Sequence, residues 1–371
     1  MKLLVSQEKL LTGLKAVSKV ISKKAPQFAG TRIATSGVRG GIEISATNFR
    51  DTICYVINNN NSYVEVEGNV FIPGSTLQTA VRSLPKESLA LSWDNKRLQI
   101  NSGLIQYSLY TNDEAVYKQC EIPDENLAVL SGKELKCLLK NVDYATATDE
   151  LRPIFLGVLF EFDSDNGSVT AVATNTHRLA RKTIEPVVKP QGQGRFVIQK
   201  SLLKHVSTFI ADDSFVHLRW NEAIAVIGDE RVILHTVNCG KYPEWQKIVP
   251  TAFSTVVEVS RIQLLQAVTR ITNVVKGCDY NIMSIEFDKE YVKLSGKHPD
   301  VGQVTETIPA RYDAGPNMQG ISFNVVYLQD ALKVMTDDKI TLSFNAPTSP
   351  AAVQAKNKDD FMYVITPVRV S

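Results

Sequence analysis

One pattern recurs three times along these 371 residues. VSQEKLLTGL from Val5, LSGKELKCLL from Leu130 and VSRIQLLQAV from Val259 each place a serine suited to N-capping ahead of apolar residues at helical spacing. A second helical stretch follows a phenylalanine each time: FIPGSTLQTAVRSL at Phe71, FVIQKSLLKHVSTF at Phe196 and FNVVYLQDALKVM at Phe323. Strand-like runs then close each unit, LALSW, VHLRW and ITLSF, ending on Trp93, Trp220 and Phe344. The markers return in the same order at intervals of 124 to 129 residues. A chain written this way folds as three like domains of roughly 125 residues, the size at which one core closes on itself.

A second echo is local. EISATNFRDT (43–52) and AVATNTHRLA (171–180) both carry Ala-Thr-Asn after an alternating apolar run, with the triplets 127 residues apart. Much of each unit alternates with period two, as in GVLFEFD, SVTAVAT and YVKLSG, and is broken by turn signals such as DSDNGS (163–168) and VRGG (38–41). Two helices among about eight short strands, packed on one face of antiparallel sheet, is an α+β arrangement. Prolines interrupt the pattern near EIPDEN (121–126) and KIVPTAF (247–253), which gives expected domains of 1–123, 124–251 and 252–371.

The net charge of +2 hides a sorting. Six helical windows (6–22, 74–84, 131–147, 199–210, 260–275 and 324–335) hold 12 Lys and Arg against 4 Asp and Glu, and the rest of the chain holds 29 against 35. In the first window Leu10, Leu14, Val17 and Ile21 form the apolar stripe, and Lys9, Lys19 and Lys23 fall near the opposite pole. In the third, Leu135, Leu138, Leu139 and Val142 face inward while Lys133 and Lys140 point away. On one helix this is a solvated face. Repeated over six helices it predicts a surface that meets polyanion through its phosphates, without reading bases.

Signals for chemistry are missing. No phosphate-binding loop, dinucleotide fingerprint, HExxH, GxSxG or EF-hand pattern occurs, and the five histidines have no metal-ligand spacing. The acid pairs Asp212-Asp213, Asp337-Asp338 and Asp359-Asp360 sit at expected element ends, and His177 has no nucleophile or carboxylate partner visible in the sequence. No enzyme, cofactor or metal is expected. No apolar run is long enough to span a bilayer, the N-terminus lacks the apolar core of a signal peptide, and five scattered cysteines suit a reducing compartment, so a cytoplasmic protein is expected. A DNA-acting enzyme or a non-ring scaffold of three like domains is the reading from another class.

The combination resembles a known family. The threefold repeat, ATNTHRLA, RPIFLGVLFEF (152–162), FIPGSTL (71–77), KYPEW (241–245) and the terminal YVITPVRV (363–370) are similar, in order and spacing, to segments of the bacterial DNA sliding clamp, the beta subunit of DNA polymerase III. The resemblance covers the whole chain. It implies a ring-shaped head-to-tail homodimer whose helices line a pore around duplex DNA, a processivity factor that tethers the replicative polymerase. It also implies partners: the DNA polymerase III alpha subunit, the clamp loader and other proteins carrying clamp-binding peptides, and no membrane.

Carried over by position, the partner-peptide cleft would comprise Arg152 and Phe155; Thr174, Thr176, His177, Arg178 and Leu179; Pro243, Lys247 and Ile248; Tyr280; Asn324 and Tyr327; and the tail Val364, Ile365, Thr366, Pro367, Val368, Arg369 and Val370. Leu179, Ile248 and Val364 are expected as an apolar floor for a peptide with Leu and Phe anchors, and Arg178 as a holder of its polar atoms. DNA-facing positions would be Lys9, Lys19, Lys23, Lys24, Arg82, Lys133, Lys140, Lys200 and Lys204. At the ring interface Tyr107 and Leu109 would face Val274 and Val275 of the next chain. The sequence departs from the family's pattern in places. Thr176 stands where Gly is common, Lys247 where Arg is usual, and Thr366 and Val368 where Met is common. Such changes suit a specialised copy with altered partner preference as well as a replicative clamp.

Overall fold

The computed structural model describes residues 1–21, 30–35, 41–48, 50–58, 62–94, 96–111, 122–149, 151–237, 240–277, 281–288, 290–314, 320–356 and 359–369. Six α-helices stand where the windows placed them: α1 (Gln7–Val17), α2 (Gly74–Ser83), α3 (Gly132–Val142), α4 (Lys200–Ser207), α5 (Arg261–Val275) and α6 (Val325–Val334). Short 3-10 turns, Ser18–Val20 and Asp143–Ala145, continue α1 and α3. α4 is shorter than its window. The Ser207 and Thr208 hydroxyls donate back to the carbonyls of Lys204 and His205 at 2.8 and 2.7 Å, a competition for backbone that loosens a helix end.

The threefold repeat is also a repeat of hydrogen bonds. At the start of α1, α3 and α5 the backbone N–H groups of Gln7, Gly132 and Arg261 donate to the carbonyls of Glu87, Ser214 and Asp338 at 2.9, 2.8 and 2.9 Å. Each acceptor lies six residues before the closing aromatic of its unit. These bonds satisfy the otherwise orphaned first turn of each helix from a neighbouring loop. Side-chain capping differs between the copies. Ser131 and Glu134 form a reciprocal capping box, and Ser260 accepts from Gln263 N–H. Ser6 occupies the cap position but makes no side-chain cap bond. Leu10, Leu14, Val17, Leu135, Leu138, Leu139 and Val142 are all buried, whereas Ile21, expected in the first stripe, is half-buried because the chain turns extended there after the 3-10 turn.

The chain forms two compact units, and the residues of the middle repeat are divided between them. Unit 1 is Met1–Lys136 with Phe162–Gly167 and Pro186–Cys239; unit 2 is Cys137–Glu161 with Ser168–Glu185 and Gly240–Ser371. Unit 1 contains a five-stranded sheet in the order Ser62–Val66, Lys2–Ser6, Ser88–Trp93, Arg97–Ser102, Ile105–Tyr110. A nine-stranded sheet beside it runs Val188–Gln191, Asn126–Ser131, Phe215–Trp220, Ile224–Gly228, Val232–Val237, Asp51–Ile57, Ile42–Thr47, Gly30–Ala34, Asn69–Pro73. In unit 2 part of a larger sheet has the strand order Ser168–Thr174, Arg178–Ile184, Phe361–Ile365, Ala351–Ala355, Lys339–Phe344, Thr255–Ser260, Gly302–Ala314, Tyr291–His298, Ile282–Phe287, Gly320–Asn324.

The reason for two units rather than three lies in two strand pairings. Asp51–Ile57 of the first repeat pairs antiparallel with Val232–Val237 of the second, and Arg178–Ile184 of the second pairs with Phe361–Ile365 of the third. Each seam is a continuous ladder of backbone hydrogen bonds, so neighbouring repeats share a sheet instead of leaving two raw edges.

Candidate partner-peptide cleft

The two Ala-Thr-Asn copies are two builds of one turn. Asn175 Oδ1 accepts from the N–H groups of His177 and Arg178, both at 3.1 Å, and Thr174 Oγ1 donates to Arg178 O at 2.7 Å. In the first copy Asn48 Oδ1 accepts from Arg50 and Asp51 N–H at 3.0 and 2.8 Å, and Thr47 Oγ1 donates to Asp51 O at 3.3 Å. Short Asn and Thr side chains imitate backbone turns in this way, which is why the pair recurs. Each turn hands one strand to the next at a seam: Ile42–Thr47 to Asp51–Ile57, and Ser168–Thr174 to Arg178–Ile184.

Within the second turn Thr176 has φ +77°. A β-branched residue in the left-handed region meets its own carbonyl, a cost of about 1–2 kcal/mol that glycine avoids. Thr176→Gly is therefore expected to stabilise the protein by about 1 kcal/mol, after the extra freedom glycine gives the unfolded chain is subtracted. A denaturant midpoint that falls instead would show that the Thr176 side chain makes contacts that outweigh its strain.

The tail meets this turn. Phe361–Ile365 is an interior strand, paired with Arg178–Ile184 on one side and Ala351–Ala355 on the other. Leu179 and Val364 are register partners, both buried, so they form the sheet beneath the site rather than its open surface. Beyond the strand, Thr366 donates from both N–H and Oγ1 to His177 O, at 3.0 and 2.9 Å, and Val368 N–H donates to Ser322 O at 2.8 Å. Residues 366–368 thus span from the turn to the strand Gly320–Asn324. Asn324 caps α6, accepting from Val326 and Tyr327 N–H at 3.0 and 3.3 Å.

Beneath lies a cluster that sequence reading missed in part. Arg178 is buried; its Nη1 donates to Asp330 Oδ2 at 2.7 Å and its Nη2 donates to Tyr144 O. Its guanidinium carbon stands 4.3 Å from the Tyr327 ring centre and 5.6 Å from that of Tyr144. Tyr363 O–H donates to Tyr327 O at 2.7 Å, and burial pushes the phenols of Tyr144 and Tyr363 above the ordinary tyrosine range. Of these residues Tyr144, Asp330 and Tyr363 were not singled out. The available signal was Asp330 three residues after Tyr327 on α6, which puts both on one helix face.

The other candidate positions lie on separate segments of unit 2. Phe155, in the 3-10 turn Pro153–Leu156, meets the Tyr242 ring edge-on at 5.8 Å, which ties that turn to the segment carrying Pro243. Pro243 and Lys247 are exposed, Lys247 pairs with Glu244 at 2.5 Å, and Ile248 is 44% exposed. Arg152 and Arg369 are exposed, while Tyr280 and Val370 lie outside the described residues. A separate surface cleft of about 660 Å³ in unit 1, walled by Val56, Ile122, His217, Arg219 and Ile233, holds none of the candidate residues.

Among the basic positions, Lys9, Lys19, Arg82, Lys133, Lys140 and Lys204 are exposed on helices or their 3-10 extensions, and Lys200 is half-buried. Lys23 and Lys24 lie outside the described residues. The acid pairs sit at element ends. Asp212 pairs with Lys136 at 2.6 Å, Asp338 O accepts at the start of α5, and Asp360 pairs with Lys182 at 2.5 Å. No group of three His, Cys, Asp or Glu able to hold a metal occurs among the described residues. Likewise, among them no helix is long and apolar enough to cross a membrane.

Tyr107 and Leu109 are half-buried on Ile105–Tyr110, the edge strand of the five-stranded sheet, with Tyr107 Oη 2.9 Å from Ser83 Oγ. Val274 is half-buried on α5. Val275, expected at the ring interface, is fully buried in its own unit, where α5 packs so closely on Gly296 that a Cβ there would lie 2.7 Å from Val275.

Three repeats fused by shared sheets, each with two helices, and a tail bonded against a turn define a clamp-type fold. Comparison with known proteins agrees. The chain matches the DNA polymerase III beta subunit N-terminal domain over residues 1–121, its central domain over 129–244 and its C-terminal domain over 246–369. It is 26% identical to the beta sliding clamp of Streptococcus pneumoniae over 375 residues, covering 99% of both chains, and 25% identical to that of Staphylococcus epidermidis over 307 residues, covering 81% and 80%. The sliding clamp structure from Bacillus subtilis superposes with a TM-score of 0.90 at 23% identity, and the DNA polymerase III beta chain of Streptococcus pneumoniae with 0.86 at 26%, each over 100% of both chains. The chain belongs to the DNA polymerase III beta-subunit family, the bacterial sliding clamps of DNA replication.

Proposed function

We propose that two copies of this chain close head to tail into a ring around duplex DNA and tether the replicative polymerase and other replication and repair proteins through the cleft. The observation that carries the reading is that all three repeats match, in order, the three domains of one family of polymerase clamps. Exposed cations on the helices suit it, because loose attraction to phosphates keeps a ring on DNA without fixing its position. The domains would be 1–123, 124–251 and 252–371, and the protein would work in the cytoplasm without cofactor or catalysis. The strand Ile105–Tyr110, at the edge of its sheet among the described residues, next to fully exposed Leu104 and bearing an exposed Tyr110, supplies a surface that pairing with another chain would cover.

The deciding measurement is retention on circular against linearised DNA at raised salt after loading by a clamp loader. Retention on circles with loss from linear ends is expected, since only a topological link distinguishes the two. Equal, salt-sensitive loss from both by a protein shown to have been loaded would make it an ordinary basic DNA binder.

A further inference from the structure

Arg178 was expected to hold a peptide's polar atoms. We propose that it is a positioning residue, which sets the Tyr327 wall of the cleft through Asp330 and does not touch the peptide. The proposal rests on the cleft reading above.

Three observations carry it. First, both terminal nitrogens of the guanidinium are engaged, by the Asp330 carboxylate at 2.7 Å and the Tyr144 carbonyl, with the Tyr327 and Tyr144 rings near it, and the remaining nitrogen, Nε, is buried. A peptide acceptor would have to displace a part-buried carboxylate to reach those donors, leaving that charge unpaired. Second, the molecule contains its own control. The same Thr-Asn turn at the first seam puts Asp51 where the second puts Arg178, and Asp51 is buried, its Oδ1 accepting from Thr236 Oγ1 at 2.6 Å. The side chain four residues after the turn's threonine therefore points into the seam in both copies, whatever its charge. Its direction comes from the turn, not from a ligand. Third, Tyr327 is only half-buried and its ring lies on the guanidinium, so the wall's position depends on the cation beneath it.

The test is fluorescence polarisation of a labelled peptide carrying Leu and Phe anchors, with thermal melting recorded for each protein. Asp330→Asn leaves Arg178 cationic but removes the charge that pairs with it. Under the proposal it weakens binding by about ten-fold, as Arg178→Gln does, and the double variant is no weaker than Arg178→Gln alone. In a Tyr327→Ala background Arg178→Gln costs nothing further, because the residue it acts through is gone; a merely structural loss would weaken binding again. Full affinity in Asp330→Asn, or a further loss from Arg178→Gln in the Tyr327→Ala protein, would overturn the proposal. Should Arg178→Gln fail to fold, Asp330→Asn decides alone. No binding by the unsubstituted protein would overturn the cleft reading and this one with it, a result separable from failure of the Arg178 arms.

Discussion

Removal of Thr366–Ser371 is expected to weaken binding of a Leu- and Phe-bearing peptide by more than about thirty-fold, a loss of roughly 2 kcal/mol or more, while leaving the chain folded and dimeric. The cut must fall after Ile365. Val364 and Ile365 belong to a strand hydrogen-bonded on both sides and are fully buried, so a deletion beginning at Val364 removes sheet core as well as tail. Past Ile365 the described contacts are few: Thr366 to His177 O, and Val368 to Ser322 O. Isothermal titration beside a sedimentation measurement of mass would check the outcome. Undiminished binding would place the peptide site elsewhere, and loss of the dimer would make the tail a structural element.

The second large effect concerns the ring. Val274→Glu is expected to yield single chains in solution and to abolish retention on circular DNA. Val274 is half-buried on its own helix, so the unassembled chain tolerates the change, whereas an interface would bury a carboxylate with no partner at a cost of several kcal/mol. Val275→Glu is a poor substitute, because Val275 is core and its replacement would unfold its own unit before testing any interface. An unchanged two-chain mass for Val274→Glu would move the interface away from α5.

Much of the fold was legible because its signals are local. Helix windows, apolar stripes and the threefold spacing depend on near neighbours in sequence, and the six helices fall within the windows drawn from them. The site was legible mainly through resemblance, and less through its own residues. Leu179 and Val364 look like a hydrophobic floor in sequence, and register pairing puts them inside the sheet, while Ile248 is exposed. Tyr144 gave no signal and Asp330 only its place one helical turn from Tyr327, because 34 and 152 residues of chain separate them from Arg178.

The sequence by itself determined the repeat, the α+β class and the helix faces, since each follows from spacing and side-chain chemistry over a few residues. Only the tertiary structure decided how the repeats join. Seam pairing between Asp51–Ile57 and Val232–Val237, and between Arg178–Ile184 and Phe361–Ile365, merges three repeats into two units. It also turns one short motif to two ends: a buried Asp51 bonded to Thr236 at the first seam, and at the second a buried arginine under the Tyr327 ring. A turn specifies where its next side chain points, but only the packed neighbours determine what that side chain meets there.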